Sequence, residues 1–167
     1  MDLNELKINK IQPSAVVVLY EQISDSLILT QRSDNLRAHP GEICFPGGAW
    51  EKGDESYYAT ALRELNEELG ISADRITLIK EMDSEHTLLG KIIHPWFASI
   101  ETIIPYQINY QEVARLISIP MALVKDLKNY KNFKIERNGR YYMTCEFIAH
   151  QDWVWGATAR IMRQLAK

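Results

Sequence analysis

Two hydrophobic rhythms alternate along the chain. Ala15-Val16-Val17-Val18-Leu19-Tyr20 is an unbroken, largely β-branched run, and Leu27-Ile28-Leu29-Thr30 repeats it after a polar break at residues 22–26. Short apolar runs bounded by polar residues predict two adjacent buried strands. Between residues 32 and 50 the rhythm vanishes, and Pro40-Gly41 and Pro46-Gly47-Gly48 mark a long ordered loop with turns and close backbone approaches. From residue 55 to residue 69 the period becomes helical, and Gly70 stands where a helix ends on a left-handed residue.

Strand-like segments follow at residues 76–79 and 91–100, the second interrupted by Pro95, which predicts a sheet edge or a bulge. Residues 112–119 predict a further strand, and Pro120 opens a short helix through residue 127. Asn138-Gly139 separates residues 133–137 from 140–145 and predicts a tight hairpin. Residues 157–165 make an amphipathic helix with basic residues near its end, where they complement the helix dipole. No repeat, linker or charge block divides residues 1–167, so a single domain of mixed α/β layers is expected.

Composition narrows the classes. The 167 residues carry 19 Lys and Arg against 22 Asp and Glu, a net charge of −3, with 46% hydrophobic and 25% charged residues. A globular chain of this size buries roughly 70% of its unfolded surface. The mildly acidic balance argues against a nucleic-acid partner, so any polyanion site must be local. Cys44 and Cys145 are the only cysteines, too few for a disulfide framework or a Cys-x-x-Cys metal site, which favours a reducing compartment. The charged stretch Met1-Asp2-Leu3-Asn4-Glu5-Leu6-Lys7 has no following apolar core of an export signal. The longest apolar run, residues 15–20, falls far short of the roughly 20 residues that cross a bilayer, so a soluble cytoplasmic protein without membrane contact is expected.

The helix at residues 55–69 carries the candidate chemistry. At ~100° per residue, Tyr58, Leu62, Leu65 and Leu69 fall on one stripe that faces the core. Glu64, Glu67 and Glu68 cluster on another side as i, i+3 and i, i+4 neighbours, where like charges repel by a few tenths of a kcal/mol per pair. Only Arg63 is nearby to compensate, four residues before Glu67. Alone, the run reads as a solvated acidic face. Beside a Pro-Gly-Gly loop that brings bare backbone amides close to a ligand, it suits a hard divalent cation completing its shell with substrate phosphates.

The span Gly48-x5-Asp54-x8-Arg63-Glu64-Leu65-Asn66-Glu67-Glu68-Leu69-Gly70-Ile71 resembles the Nudix box, G-x5-E-x7-R-E-U-x-E-E-x-G-U. From Arg63 onward the match is full. In the front half, counting back from Arg63 gives Glu55 the first acidic position and Ala49 the glycine, whereas counting from Gly48 gives it to Asp54 with one extra residue. Residues 28–48, Ile28-Leu29-Thr30-Gln31-Arg32-Ser33 through Phe45-Pro46-Gly47-Gly48, are similar to the L-L-T-x-R-S … F-P-G-G signature of the family's coenzyme A pyrophosphatase branch. Trp153-Val154-Trp155-Gly156-Ala157-Thr158-Ala159 resembles that branch's I-W-G-x-T-A ending.

This resemblance implies a Nudix-type α/β/α sandwich with a mixed β-sheet and cleavage of a nucleoside diphosphate derivative. The substrate it implies is coenzyme A, giving 4′-phosphopantetheine and adenosine 3′,5′-bisphosphate. It implies that Glu64, Glu67 and Glu68 hold Mg2+ or Mn2+, that Arg63 anchors the helix carboxylates, and that Gly47 and Gly48 let the loop turn against the helix. Glu112 is the candidate general base, with Glu85 and Glu101 as rivals. Arg32 and Arg37 either bind adenosine phosphates or pair with the acidic helix. The expected partner is a small nucleotide-derived molecule, and the family's frequent dimerisation makes a homodimer one expected assembly. ADP-ribose hydrolysis and a non-catalytic sensor on the same fold are the alternatives.

Other features read as structural. Lys125, Lys128, Lys131, Lys134, Arg137 and Arg140 make a basic tract that reads as a solvated face, with attraction of a polyanionic substrate as the alternative. His39, His86, His94 and His150 lack zinc spacing, Trp153 and Trp155 read as core rather than as an adenine platform, and Cys44 has no evident base to activate it.

Overall fold

A computed structural model describes residues 12–167; the charged N-terminal stretch from Met1 to Lys7 lies outside them. The strands are β1 (Ser14–Glu21), β2 (Ser26–Arg32), β3 (Ile43–Cys44), β4 (Gly47–Ala49), β5 (Thr77–Glu81), β6 (Glu85–His86), β7 (Ile92–Ile100), β8 (Val113–Pro120), β9 (Tyr130–Arg137), β10 (Arg140–Phe147) and β11 (Val154–Trp155). The helices are α1 (Tyr57–Leu69), α2 (Met121–Val124) and α3 (Gly156–Arg163). The large sheet runs β3-β2-β1-β7-β5, with β4 also on β1, β6 on β7 and β8 on β2; a small sheet runs β11-β10-β9. β1 and β7 are parallel and the other pairs antiparallel, so the large sheet is mixed, as expected.

The two-residue period of β1 organises the core. Ala15, Val17 and Leu19 pack with Ala61, Leu65 and Leu69 of α1, while Val18 packs on the opposite face with Phe147, Val154, Ile161 and Met162 of the small sheet and α3. Helical and small-sheet layers therefore flank the large sheet. Helix α1 opens on Ser56, whose hydroxyl accepts from Ala59 N–H, and closes on Gly70 at φ 65°. The expected stripe is met at Leu65 and Leu69, with Ala61 beside them, whereas Tyr58 and Leu62 are only partly buried.

Three expectations need adjustment. Pro95 lies inside the sheet rather than at its edge, since β7 is flanked by β1 and β5. Met82 N–H, just past the end of β5, donates to the Pro95 carbonyl at 3.0 Å, and the proline leaves only the return bond unmade; the bulge falls in β5, between Leu78 and Lys80. The helix after Pro120 stops at Val124, and a 3-10 turn at Leu127–Asn129 follows, capped by the Asp126 side chain on Lys128 N–H. The hairpin is as expected, with Asn138 and Gly139 both at positive φ and Arg137 opposite Arg140.

Candidate active site

The glycine loop lies against both β1 and α1. Gly47 and Gly48 pair with Val16 and Ala15, and Val17 N–H donates to the Pro46 carbonyl at 2.8 Å. A Cβ on Gly47 would overlap the Ala15 carbonyl, and one on Gly48 would stand 2.5 Å from Glu64 Cδ. Neither glycine is needed for its backbone angles; each is needed because nothing larger fits.

The helix carboxylates separate. Glu68 turns inward and is 7% exposed, Glu64 is largely covered, and the Glu67 side chain remains 48% exposed. Glu112, delivered by the turn before β8, completes a cluster in which one oxygen each of Glu64, Glu68 and Glu112 lie within 4.8 Å of one another. Tertiary contacts hold that turn in place, because Asn109 N–H donates to the Glu68 carbonyl and Ser33 N–H to the Glu112 carbonyl.

Burial, then the charges of Glu64 and Glu112, push the Glu68 carboxyl up to about 9. Burial and the charge of Glu67 push Glu64 up to about 7 against the opposing pull of Arg63. Among the described residues, the only hydrogen bond to the Glu68 carboxylate is a long one from Gly47 N–H, 3.4 Å, and Glu112 Oε2 is buried with no partner. Three crowded, under-satisfied carboxylates are costly unless protonated or bridged by a cation. Their all-oxygen donor set fits a hard divalent ion such as Mg2+ or Mn2+.

Arg63 fixes the frame around this cluster. Its Nε and Nη2 donate to Asp54 Oδ1 and Oδ2 at 2.9 and 3.0 Å, Nη1 to Glu64 and Glu67, and Nη2 also to the Ala49 carbonyl. The bidentate guanidinium, together with Glu51 N–H and the Thr60 hydroxyl, holds the Asp54 carboxyl well below the usual carboxylate range. Of the two countings of the front half, the geometry selects the one from Gly48: Asp54 meets the arginine while Glu55 is exposed.

A cleft of about 290 Å³ opens beside the loop, bounded by Gly47, Gly48, Arg32, Lys91, Arg137 and Trp155 among others. Arg32 lines it, its Nε donating to the Ala38 carbonyl, whereas Arg37 is exposed on the loop and off the cleft wall. Among the described residues neither arginine pairs with the acidic helix. Glu85 is engaged by Arg160 at 3.1 Å and Glu101 is exposed beyond β7.

Trp153 and Trp155 are not core. Trp153 is 55% exposed, the two rings stack at 4.8 Å, and Trp155 lines the cleft. On a strand, residues two apart share a face, and Val154 between them takes the buried side. That W-V-W alternation was the signal for a shared platform. Lys91 and Arg160 border the cleft with no signal in the sequence, and so does Arg137, one member of the basic tract expected to be a solvated face, brought there by the Asn-Gly hairpin register. The rest of the basic tract is exposed, off the cleft wall. Burial pushes the Cys44 thiol up to about 11, which leaves it inert as a nucleophile. No described helix is long and apolar enough to cross a membrane.

A family profile described as the NUDIX domain matches residues 10–112, a span that contains the glycine loop and α1 and ends on Glu112. Relatives called uncharacterized Nudix hydrolase NudL, from Shigella boydii serotype 4 and Escherichia coli O1:K1, are 32% identical over 98% of this chain and 85% of theirs. A MutT/nudix family protein from Enterococcus faecalis superimposes with a TM-score of 0.60 at 16% identity over 99% of this chain and 68% of its own. The Nudix domain of Shewanella oneidensis NrtR, solved with ADP ribose, gives 0.53 at 22% identity over 73% and 79%. A C. elegans Ap4A hydrolase in a binary complex gives 0.56 at 20% over 65% and 80%. The solved structures share the fold; the profile and the NudL relatives establish that the chain belongs to the Nudix hydrolase family, whose members cleave nucleoside diphosphate derivatives.

Proposed function

We propose that the chain, acting as one domain, hydrolyses the pyrophosphate bond of coenzyme A or a derivative, giving 4′-phosphopantetheine and adenosine 3′,5′-bisphosphate. The observation that carries the reaction class is the cluster of Glu64, Glu68 and Glu112 against a glycine loop, next to a cleft bearing Arg32, Lys91 and Arg137. Coenzyme A as substrate rests on the likeness of residues 28–48 and 155–159 to the corresponding branch of the family.

A pyrophosphate resists hydrolysis because its oxygens repel the nucleophile, so catalysis requires charge neutralisation and one aligned water. Mg2+ or Mn2+, when bound, would supply that neutralisation and lower the pKa of a water it holds. Glu64 and Glu68, with Glu67 on the rim, offer the oxygen ligands. Glu112 takes the proton as water oxygen bonds to phosphorus and the bridging P–O bond breaks, leaving two phosphate monoesters. Arg63, locked on Asp54, keeps the Glu64 and Glu67 carboxylates oriented, and Gly47 and Gly48 let the loop pack directly against β1 and the Glu64 carboxylate. Arg32 and Lys91 meet the diphosphate charge.

The test is product identification after incubation of the purified protein with coenzyme A and Mg2+ or Mn2+. The two named products are expected. A marked preference for ADP-ribose would reject coenzyme A as substrate, and wild-type protein with no turnover on either would favour a sensor.

A further inference from the structure

The small sheet presents an inner face to the cleft that the hydrolytic residues leave unused. Along β10 the two-residue period puts Arg140, Tyr142, Thr144 and Glu146 on one side, and the register adds Arg137 opposite Arg140, Phe133 opposite Thr144, and Trp155 opposite Glu146. Arg137, Thr144 and Trp155 border the cleft. Trp155 is backed by Trp153, stacked on it at 4.8 Å and 12°, and flanked by Phe133 at 6.4 Å. Trp153 is itself held by Glu146, which accepts its indole N–H at 2.8 Å. At the other end, two arginines face each other across an antiparallel pair, where like charges repel. Neither has an ion-pair partner among the described residues.

A rigid half-buried indole and an unpaired guanidinium at opposite ends of one wall are unfavourable in isolation and complementary to one kind of ligand. We propose that this face of the β9–β10 hairpin seats the nucleoside half of the substrate, Trp155 stacking on its base and Arg137 pairing with an additional phosphate on its ribose. This rests on the reading of the chain as a hydrolase of nucleotide-derived diphosphates, and it gives the preference for a ribose-phosphorylated nucleotide a location. The rungs of Trp155 and Arg137 lie about 20 Å apart by strand rise, and both residues border the same cleft. Trp153 is a positioning residue that keeps the Trp155 ring upright.

Binding of adenosine 3′,5′-bisphosphate and of adenosine 5′-monophosphate to the full chain, measured by titration calorimetry without added metal, tests the seat independently of turnover. The bisphosphate is expected to bind more tightly than the monophosphate. Arg137→Gln, at an exposed position, is expected to weaken the bisphosphate roughly 10-fold to 100-fold while changing the monophosphate less than about twofold. Trp155→Leu is expected to weaken both by roughly 5-fold or more. Equal affinity for the two nucleotides, or an Arg137→Gln effect shared by both, overturns the phosphate assignment. Unchanged binding in Trp155→Leu overturns the stacking assignment, with Trp153→Leu as the second variant should the first fail to fold. If the seat behaves as expected but coenzyme A is not cleaved, the substrate reading falls and the seat remains; if coenzyme A is cleaved and the variants bind as wild type, the reverse holds.

Discussion

A single methyl group at residue 48 would strike the Glu64 carboxylate, since an alanine Cβ there lies 2.5 Å from Cδ. Gly48→Ala therefore forces either the loop or the carboxylate to move, at about 1–3 kcal/mol. The expected result is a melting temperature lower by about 2–10 °C in calorimetry, with hydrolysis reduced further because the displaced group belongs to the carboxylate cluster. Charge at the same cluster sets a pH dependence. Without cation, Glu64 and Glu68 keep protons up to about 7 and about 9, while unfolded glutamates release theirs near ~4.3. Through that window the native state binds more protons than the unfolded one. The contribution of these two carboxyls to stability is therefore fullest below about pH 4 and declines as pH rises towards 9. The Asp54 carboxyl acts oppositely, its stabilisation being lost in acid. Thermal melts of cation-free protein from pH 6 to pH 9 should show the decline, and Glu68→Gln should remove most of it. The melting increment from saturating Mn2+ should grow with pH, because the ion replaces protons. A flat increment would contradict the assignment.

Helix α1 shows how far the local pattern could be read. Its period, its C-terminal Gly70 and its acidic residues were legible because they depend on neighbours within one turn. Gly70→Ala is expected to cost about 1 kcal/mol in urea unfolding, since φ of 65° is strained for a residue with a side chain. The inward turn of Glu68 was not legible. A helical wheel places carboxylates outside by default, and the groups that enclose Glu68 come from distant parts of the chain: Gly47, whose N–H it accepts, and Glu112, whose charge pushes its carboxyl up. The sequence likewise left Asp54 and Glu55 as rivals, one residue apart, and the choice fell to whichever reached the guanidinium. Trp153 and Trp155 were misassigned to the core because aromatic residues usually belong there; the face they take follows from Val154 being buried in β11. Pro95 misled for a similar reason, as its tolerance depends on where the neighbouring strand stops.

At the scale of the molecule the cleft lies where the large sheet, the small sheet and α3 meet, so no local window contained it. Arg160 joins these parts, donating from Nε to Glu85, from Nη1 to the Thr144 hydroxyl and from Nη2 to the His86 carbonyl. Removing the charge leaves the partly buried Glu85 with only a long hydrogen bond from Gln164 Nε2, 3.4 Å, so Arg160→Leu is expected to cost about 1–3 kcal/mol. Since α3 and the β6 end of the cleft would then separate, KM should rise more than kcat falls, which steady-state kinetics on the same substrate can check; an unchanged KM would show that the two sides hold together without it. The grip of Arg63 on Asp54 reaches beyond this chain. An arginine that closes on an acid of the preceding loop joins the two by side-chain reach and not by a fixed count of residues. A template that counts a fixed number of positions before the arginine will pass over such a pair, whereas one that asks for an acid within its grasp will find it.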